Sequence, residues 1–155
     1  MDCRIPLPAA MKTRFLAALL TLCASFCLSH AADRDKLTDI NAGIKQAKAE
    51  NKLVFIQYGR ENCGNCQALK GYIKNRSVRL SESKYVYVDA NCDDSATSGV
   101  FRSKFKVEGS TLPFVVVAAS DGTQLAARTG YGTPDEYEDL LKEAQKAVKK
   151  STSKP

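Results

Sequence analysis

Cys63 and Cys66 stand three positions apart in the stretch Glu61-Asn62-Cys63-Gly64-Asn65-Cys66-Gln67-Ala68-Leu69-Lys70. Two thiols at that spacing can do three kinds of chemistry. They can close and reopen as a two-electron disulfide switch. They can supply half of a metal site. They can form a small static staple. A zinc site needs about four ligands; only Cys92, Asp93 or Asp94 can join the pair, and the chain has no second CxxC. No metal is therefore expected. The position of the pair in the chain has to decide between the remaining readings.

The elements that position the pair begin after an N-terminal segment of different character. Lys12 and Arg14 precede an uncharged apolar run, Phe15 to Leu28, and Ser29-His30-Ala31 fits a small-x-small cleavage pattern. The run is short for a membrane span and reads as a secretory signal peptide over residues 1–31. Met11 is the alternative start, because residues 11–31 alone make a complete signal. Leu22 and Phe26 precede Cys23 and Cys27 where a lipoprotein would want a small residue. Cleavage removes Cys3, Cys23 and Cys27, and with them the only histidine, His30. No Ser-His or Cys-His catalysis and no His-ligated metal is then available. Three remaining cysteines are too few, and odd in number, for a disulfide scaffold.

The chain of 155 residues is long enough for one domain, expected over 32–149, with a flexible tail over 150–155. Its formal charge of +6 is spread over scattered cations rather than a basic run. Nucleic acid is not an expected partner. Residues 33–51 read as a helix, with Ile40, Ile44 and Ala47 on one face and Asn51 ending it. Leu53 to Tyr58 is an almost unbroken apolar run, as in a strand buried on both faces. A loop over 59–62 follows, and from Cys63 the spacing of Leu69, Tyr72 and Ile73 is helical. Tyr85 to Val88 is a second strand, ended by Asp89-Ala90-Asn91. Residues 95–105 form a short helix. Phe114 to Ala118 is a third strand, directly after Pro113, and the Asp121-Gly122 turn leads to a fourth over 125–128. Thr133, Pro134 and Glu136 announce the last helix as N-cap, first residue and capping-box partner. The first two strands need a crossover helix and should be parallel. The order predicts an α/β layer fold with a small mixed sheet.

In that frame the cysteine pair follows a buried strand and opens a helix. The unpaired N–H groups and positive dipole end of a helix N-terminus stabilise a thiolate at Cys63. Such placement lowers a thiol pKa from about 8.5 towards about 3.5 to 7.5. Cys66, one turn deeper, is less exposed. A nucleophile followed by a resolving thiol is the arrangement that disulfide exchange requires.

Three elements together resemble the thioredoxin superfamily, in particular its exported thioredoxin-like domains: Cys63-Gly64-Asn65-Cys66, Thr111-Leu112-Pro113-Phe114, and the Asp121-Gly122 turn followed by Gly130. The resemblance covers residues 39–148. It implies a three-layer fold with a central mixed sheet of four to five strands flanked by helices. It implies a cis Pro113 beside the cysteines, with Leu112 offering backbone groups to an extended substrate segment and Asn62 at the substrate-facing rim. Three positions depart from the family. Asn62 stands where a tryptophan is usual, Asn65 where a proline is usual, and Gln57 where many members carry a buried acid. Gln57 cannot shuttle the resolving thiol's proton, which leaves that role to water or Glu61.

The expected function is an extracytoplasmic thiol–disulfide oxidoreductase in a bacterial periplasm or secreted. Cys63 and Cys66 would be catalytic, and no cofactor is expected. Its partners would be protein thiols and disulfides and an electron-donor or acceptor protein. It would be a monomer free of the membrane once the signal is cleaved. The alternative is a thioredoxin-fold binding module, or a metal or heme-maturation chaperone, whose cysteine pair is structural. Cys92 reads as a single thiol in the loop after the second strand, or as an additional exchange site. Lys70 reads as part of a solvated helix face.

Overall fold

The computed structural model describes residues 37–153. The signal peptide expected over 1–31 lies outside them, as do residues 154 and 155 of the expected tail. The elements in chain order are α1 (Ile40–Glu50), β1 (Leu53–Gly59), α2 (Gly64–Lys74), β2 (Tyr85–Asn91), α3 (Ser95–Lys104), β3 (Phe114–Ala118), β4 (Gln124–Thr129) and α4 (Pro134–Thr152). Helices and strands follow one another in the expected order.

The four strands form one sheet in the order β2-β1-β3-β4. β1 pairs with β2 in parallel from Leu53↔Tyr85 to Gly59↔Asn91. It pairs with β3 antiparallel, from Tyr58↔Phe114 to Val54↔Ala118. β4 runs antiparallel to β3, with an irregularity at Val117/Ala118. Because β1 is central, both of its faces are covered, which is why its sequence is an apolar run rather than an alternation. Val54, Ile56 and Tyr58 face one core with Val86, Val88, Ala90 and Val116, closed by Ile40 and Ala47 of α1 and Phe101 of α3. Phe55 faces the other core with Val115 and Val117, closed by Leu69 of α2 and Tyr137, Leu140, Leu141 and Ala144 of α4. The result is the expected three-layer arrangement.

The helix ends obey local chemistry. α1 starts at Ile40 rather than at residue 33, because the Asp39 carboxylate accepts from the Ala42 N–H at 2.6 Å and fixes the N-cap there. Asn51 ends α1 in the left-handed conformation, at φ 52°. Thr133 and Glu136 form the expected capping box at α4, and such a cap contributes about 1 kcal/mol. Beyond the start of α1, two boundaries differ from the sequence reading by more than one residue. β2 continues through Asp89-Ala90-Asn91, because the ladder with β1 reaches Gly59 and satisfies those backbone groups. α4 runs to Thr152, past position 150 where the tail was expected to begin. No helix among the described residues is long and apolar enough to cross a membrane.

The tyrosines of β2 give the fold an alkaline limit. Burial raises the Tyr87 phenol well above its ordinary pKa, and the Asp89 carboxylate adds to the effect. Burial likewise raises Tyr85, opposed by the hydrogen bond from Gln145. Above about pH 10 the unfolded chain releases these protons and the folded chain keeps them. Stability from this source is complete below about pH 10 and is lost as pH rises further. Tyr87 alone then adds a slope of about −1.4 kcal/mol per pH unit. Urea titrations between about pH 9 and 12 should show Tyr87→Phe with a shallower decline than the wild type. Parallel declines would contradict the assignment.

Candidate active site

The site forms where the C-terminal end of β1 meets the N-terminal end of β3. Register puts Tyr58 opposite Phe114, so the next residue on one side is Gly59 and the preceding residue on the other is Pro113. The Leu112–Pro113 peptide is cis, as the family resemblance implied. A Cβ built on Gly59 would stand 2.6 Å from the Cys66 Sγ and 3.8 Å from the Pro113 Cβ. The three residues therefore share one small volume, and only glycine fits at position 59.

Cys63 is the N-cap of α2, with extended backbone, and its Sγ accepts from the Cys66 N–H at 3.2 Å. It is half-buried, whereas Cys66 is fully buried. A disulfide joins them across a Cα–Cα distance of 5.1 Å. In the reduced pair, the helix dipole and this N–H act on the Cys63 sulfur. Asn62 is exposed in the turn before it.

Gln57 is the one fully buried polar side chain among the described residues. Its Nε2 donates to the Cys66 carbonyl at 3.0 Å, and its Oε1 accepts from the Tyr87 hydroxyl at 3.0 Å. The position that carries a buried acid in many family members thus holds a neutral chain, Tyr87–Gln57–Cys66. Both ends of the amide are used, so the burial leaves no unsatisfied group. The chain ends on a backbone oxygen and provides no proton acceptor for the Cys66 thiol. Lys70, read from sequence as a solvated face, is ion-paired to Asp89 at 2.6 Å, with both side chains about a third exposed.

The loop that carries Pro113 is tied down from two directions. The Gly130 N–H, at φ 78°, donates to both the Thr111 carbonyl (2.9 Å) and the Pro113 carbonyl (3.0 Å). The Asn65 Nδ2 donates to the Leu112 carbonyl at 3.2 Å. The Leu112 N–H makes no hydrogen bond within the described residues. Cys92 is a half-buried free thiol. Its N–H donates to the Gly59 carbonyl at 2.7 Å, and Arg60 bridges to its neighbour Asp93 at 3.2 Å.

The structure places Cys63, Cys66, Leu112 and Pro113 around one small volume at Gly59. Gly59, the Asn65–Leu112 bond, the Tyr87–Gln57 bond and Tyr131 are not picked out by the sequence. Tyr131, 53% exposed, follows Gly130 directly. Its hydroxyl pairs with that of Tyr72 on α2 at 2.7 Å, and its carbonyl accepts from Arg128 Nη2 at 3.2 Å. Its sequence signal was an aromatic residue between two glycines, Gly130-Tyr131-Gly132. No group of His, Cys, Asp and Glu among the described residues is placed to hold a metal ion.

Residues 40–145 match a family model described as a thioredoxin-like domain. Among solved structures, the chain is similar to a mutant thioredoxin from Halobacterium salinarum NRC-1. Identity is 20%, the TM-score is 0.53, and the match covers 75% of this chain and 96% of that one. It is also similar to a wild-type thioredoxin h from poplar, with 17% identity, a TM-score of 0.51 and 66% and 85% coverage. A third neighbour is Trxlp from Edwardsiella tarda EIB202, with 13% identity, a TM-score of 0.51 and 67% and 95% coverage. At these identities the neighbours establish the fold. No curated protein sequence matches the chain.

The packing at Gly59 can be tested against a nearby glycine. A Cβ at Gly64 would meet nothing within 4 Å. Gly59→Ala should lower the stability of the oxidised protein by about 1 to 3 kcal/mol, the usual cost of overpacking. Gly64→Ala should leave it unchanged or raise it by up to about 1 kcal/mol. Urea unfolding of both variants reads the difference. Equal effects would mean that the shared volume at Gly59 relaxes freely.

Proposed function

The chain belongs to the thioredoxin-like domain family, and from that premise we propose that it is an exported thiol–disulfide oxidoreductase acting on protein disulfides. The observation that carries this reading is the Cys63–Cys66 disulfide at the N-terminus of α2, packed through Gly59 against the cis Leu112–Pro113 peptide. A static staple needs neither a helix N-terminus nor an adjacent cis-proline loop. A nucleophilic thiol uses both, one to stabilise its thiolate and the other to seat the substrate.

In the reducing direction the Cys63 thiolate attacks one sulfur of a substrate disulfide. The substrate S–S bond breaks, and its second sulfur leaves as a thiolate that takes a proton from water. Cys66 loses its proton to solvent and attacks the Cys63 sulfur of the mixed disulfide. The second substrate thiol departs, and Cys63 and Cys66 are left as a disulfide. Two electrons have passed from the dithiol to the substrate, and a dithiol-bearing partner protein restores the pair. The same steps in reverse oxidise a substrate dithiol. With the neutral Gln57 in the buried position, the Cys66 proton leaves to water, directly or by way of Glu61.

Export rests on residues 12–31, whose basic start, apolar run and Ser29-His30-Ala31 ending fit a cleaved signal. In an oxidising compartment the Cys63–Cys66 disulfide persists until a partner reduces it.

With dithiothreitol as electron source, the protein should accelerate reduction of insulin disulfides. Cys63→Ser should fall to the rate of dithiothreitol alone, while Cys66→Ser should accumulate a mixed disulfide visible by non-reducing electrophoresis. Wild-type turnover no faster than dithiothreitol would overturn the enzyme reading. Mass spectrometry of the protein recovered from expressing cells should place the mature N-terminus at Ala32. An intact residue 1–31 segment would overturn the cleaved-signal reading.

A further inference from the structure

The Leu112 carbonyl is the backbone acceptor beside the cysteines, and it is already in use. Asn65, the second of the two residues between the cysteines, in the first turn of α2, donates its Nδ2 hydrogen to it at 3.2 Å. The carbonyls on either side, Thr111 and Pro113, are both held by the Gly130 N–H. The Leu112 N–H, by contrast, is unengaged within the described residues, as is the Thr111 N–H before it.

An extended segment that pairs with a single edge residue exchanges two hydrogen bonds with it, one to its N–H and one to its C=O. At Leu112 the first is open and the second is blocked. We propose that Asn65 is a specificity-determining residue: its side-chain amide occupies the Leu112 carbonyl, and an extended disulfide-bearing segment must displace it to seat fully beside Cys63. The proposal rests on the oxidoreductase reading and adds a selection step to it.

The energetics make the step selective rather than prohibitive. Asn65 is half-exposed, so when displaced its amide exchanges the carbonyl for water. The incoming backbone N–H replaces one neutral hydrogen bond by another. The net worth of such a bond, about 0.5 to 1.5 kcal/mol, is forgone by every segment that seats, and it weakens seating by about two- to tenfold. A small disulfide without backbone amides reacts at Cys63 without using Leu112 at all and carries no such penalty. Asn65 therefore shifts the preference of the site away from generic extended chains. It favours partners that bring enough further contact to displace it, for example with Tyr131 beyond Gly130.

Asn65→Ala removes the donor while keeping a residue that suits the first turn of a helix. The readout is kcat/KM for insulin divided by kcat/KM for hydroxyethyl disulfide. A change in the potential or nucleophilicity of the cysteine pair alters both substrates and largely cancels in this ratio. The ratio should rise about two- to tenfold in Asn65→Ala, through a lower KM for insulin. An unchanged or lower ratio would overturn the proposal. If the wild type turns over neither substrate, the oxidoreductase reading fails by itself, and a second measurement tests Asn65 independently. A cysteine peptide is attached to Cys63 of the Cys66→Ser variant through an activated disulfide. The Asn65 side-chain amide is then followed by NMR. Its resonances should move from a bonded to a solvent-exposed position on attachment; unmoved resonances would show that the carbonyl is never given up.

Discussion

The end of β1 carries no side chain, and the geometry of the site depends on that. At Gly59 the Cys66 sulfur fills the space where a Cβ would lie, with Pro113 just beyond it. Two strand pairings make this possible. β1 runs in parallel with β2 through Gly59↔Asn91, and antiparallel with β3 from Tyr58↔Phe114. A one-residue slip of β3 would turn Val115 and Val117 out of one core and Val116 out of the other. Burial of both faces thus fixes the register, and the register carries Pro113 to the cysteines. The order of causes runs from apolar strands, through register, to the meeting of α2 with the loop before β3.

The electrostatics of the site follow from what is absent next to that junction. Gln57, fully buried, links the Tyr87 hydroxyl to the Cys66 carbonyl without carrying charge. A carboxylate in its place would need a compensating donor or would remain protonated. The ion pair Lys70–Asp89, which joins α2 to β2, is partly solvated, and pairs of that kind contribute at most about 1 kcal/mol. The end of α2 itself favours a Cys63 thiolate, through its dipole and the Cys66 N–H aimed at the sulfur.

Much of this was legible in the sequence, where the signal was local or periodic. The run Leu53 to Tyr58 announced a central strand because a strand buried on both faces needs no polar alternation. Thr133, Pro134 and Glu136 announced the start of α4 because capping chemistry is confined to one turn. Cys63 and Cys66 were identifiable from spacing and position, and the cis Pro113 from family resemblance. The start of α1 was misplaced because apolar spacing does not locate a cap, whereas the Asp39 carboxylate does. β2 reads as ending early because Asp89 and Asn91 are poor strand formers by type; the β1 ladder overrides that preference. The bonds Asn65–Leu112 and Tyr87–Gln57 join residues 47 and 30 positions apart. Nothing in the local sequence at either end encodes the other, so only the register brings them into view.

On the proposed reading, reaction and recognition are supplied by different parts of the chain. The thiols belong to α2 and the loop ahead of it. The backbone edge beside them belongs to residues 111–113, which Gly130 holds from the far side. Tyr131 follows Gly130 in the chain, and Arg128 fixes its carbonyl while also bridging to Glu136 at 3.1 Å. The segment around Gly130 is therefore braced by β4 and the start of α4. Among the described contacts, the two parts meet at the van der Waals packing over Gly59, at the hydrogen bond from Asn65, and further out at the Tyr72–Tyr131 hydroxyl pair. The first is a steric fit that tolerates little change, since the interior has no spare volume there. The second is a single neutral bond at a half-exposed residue, which can be exchanged for another at small cost. On the proposed reading, such a site would vary its partners at position 65 while the disulfide chemistry, anchored through Gly59, stays the same.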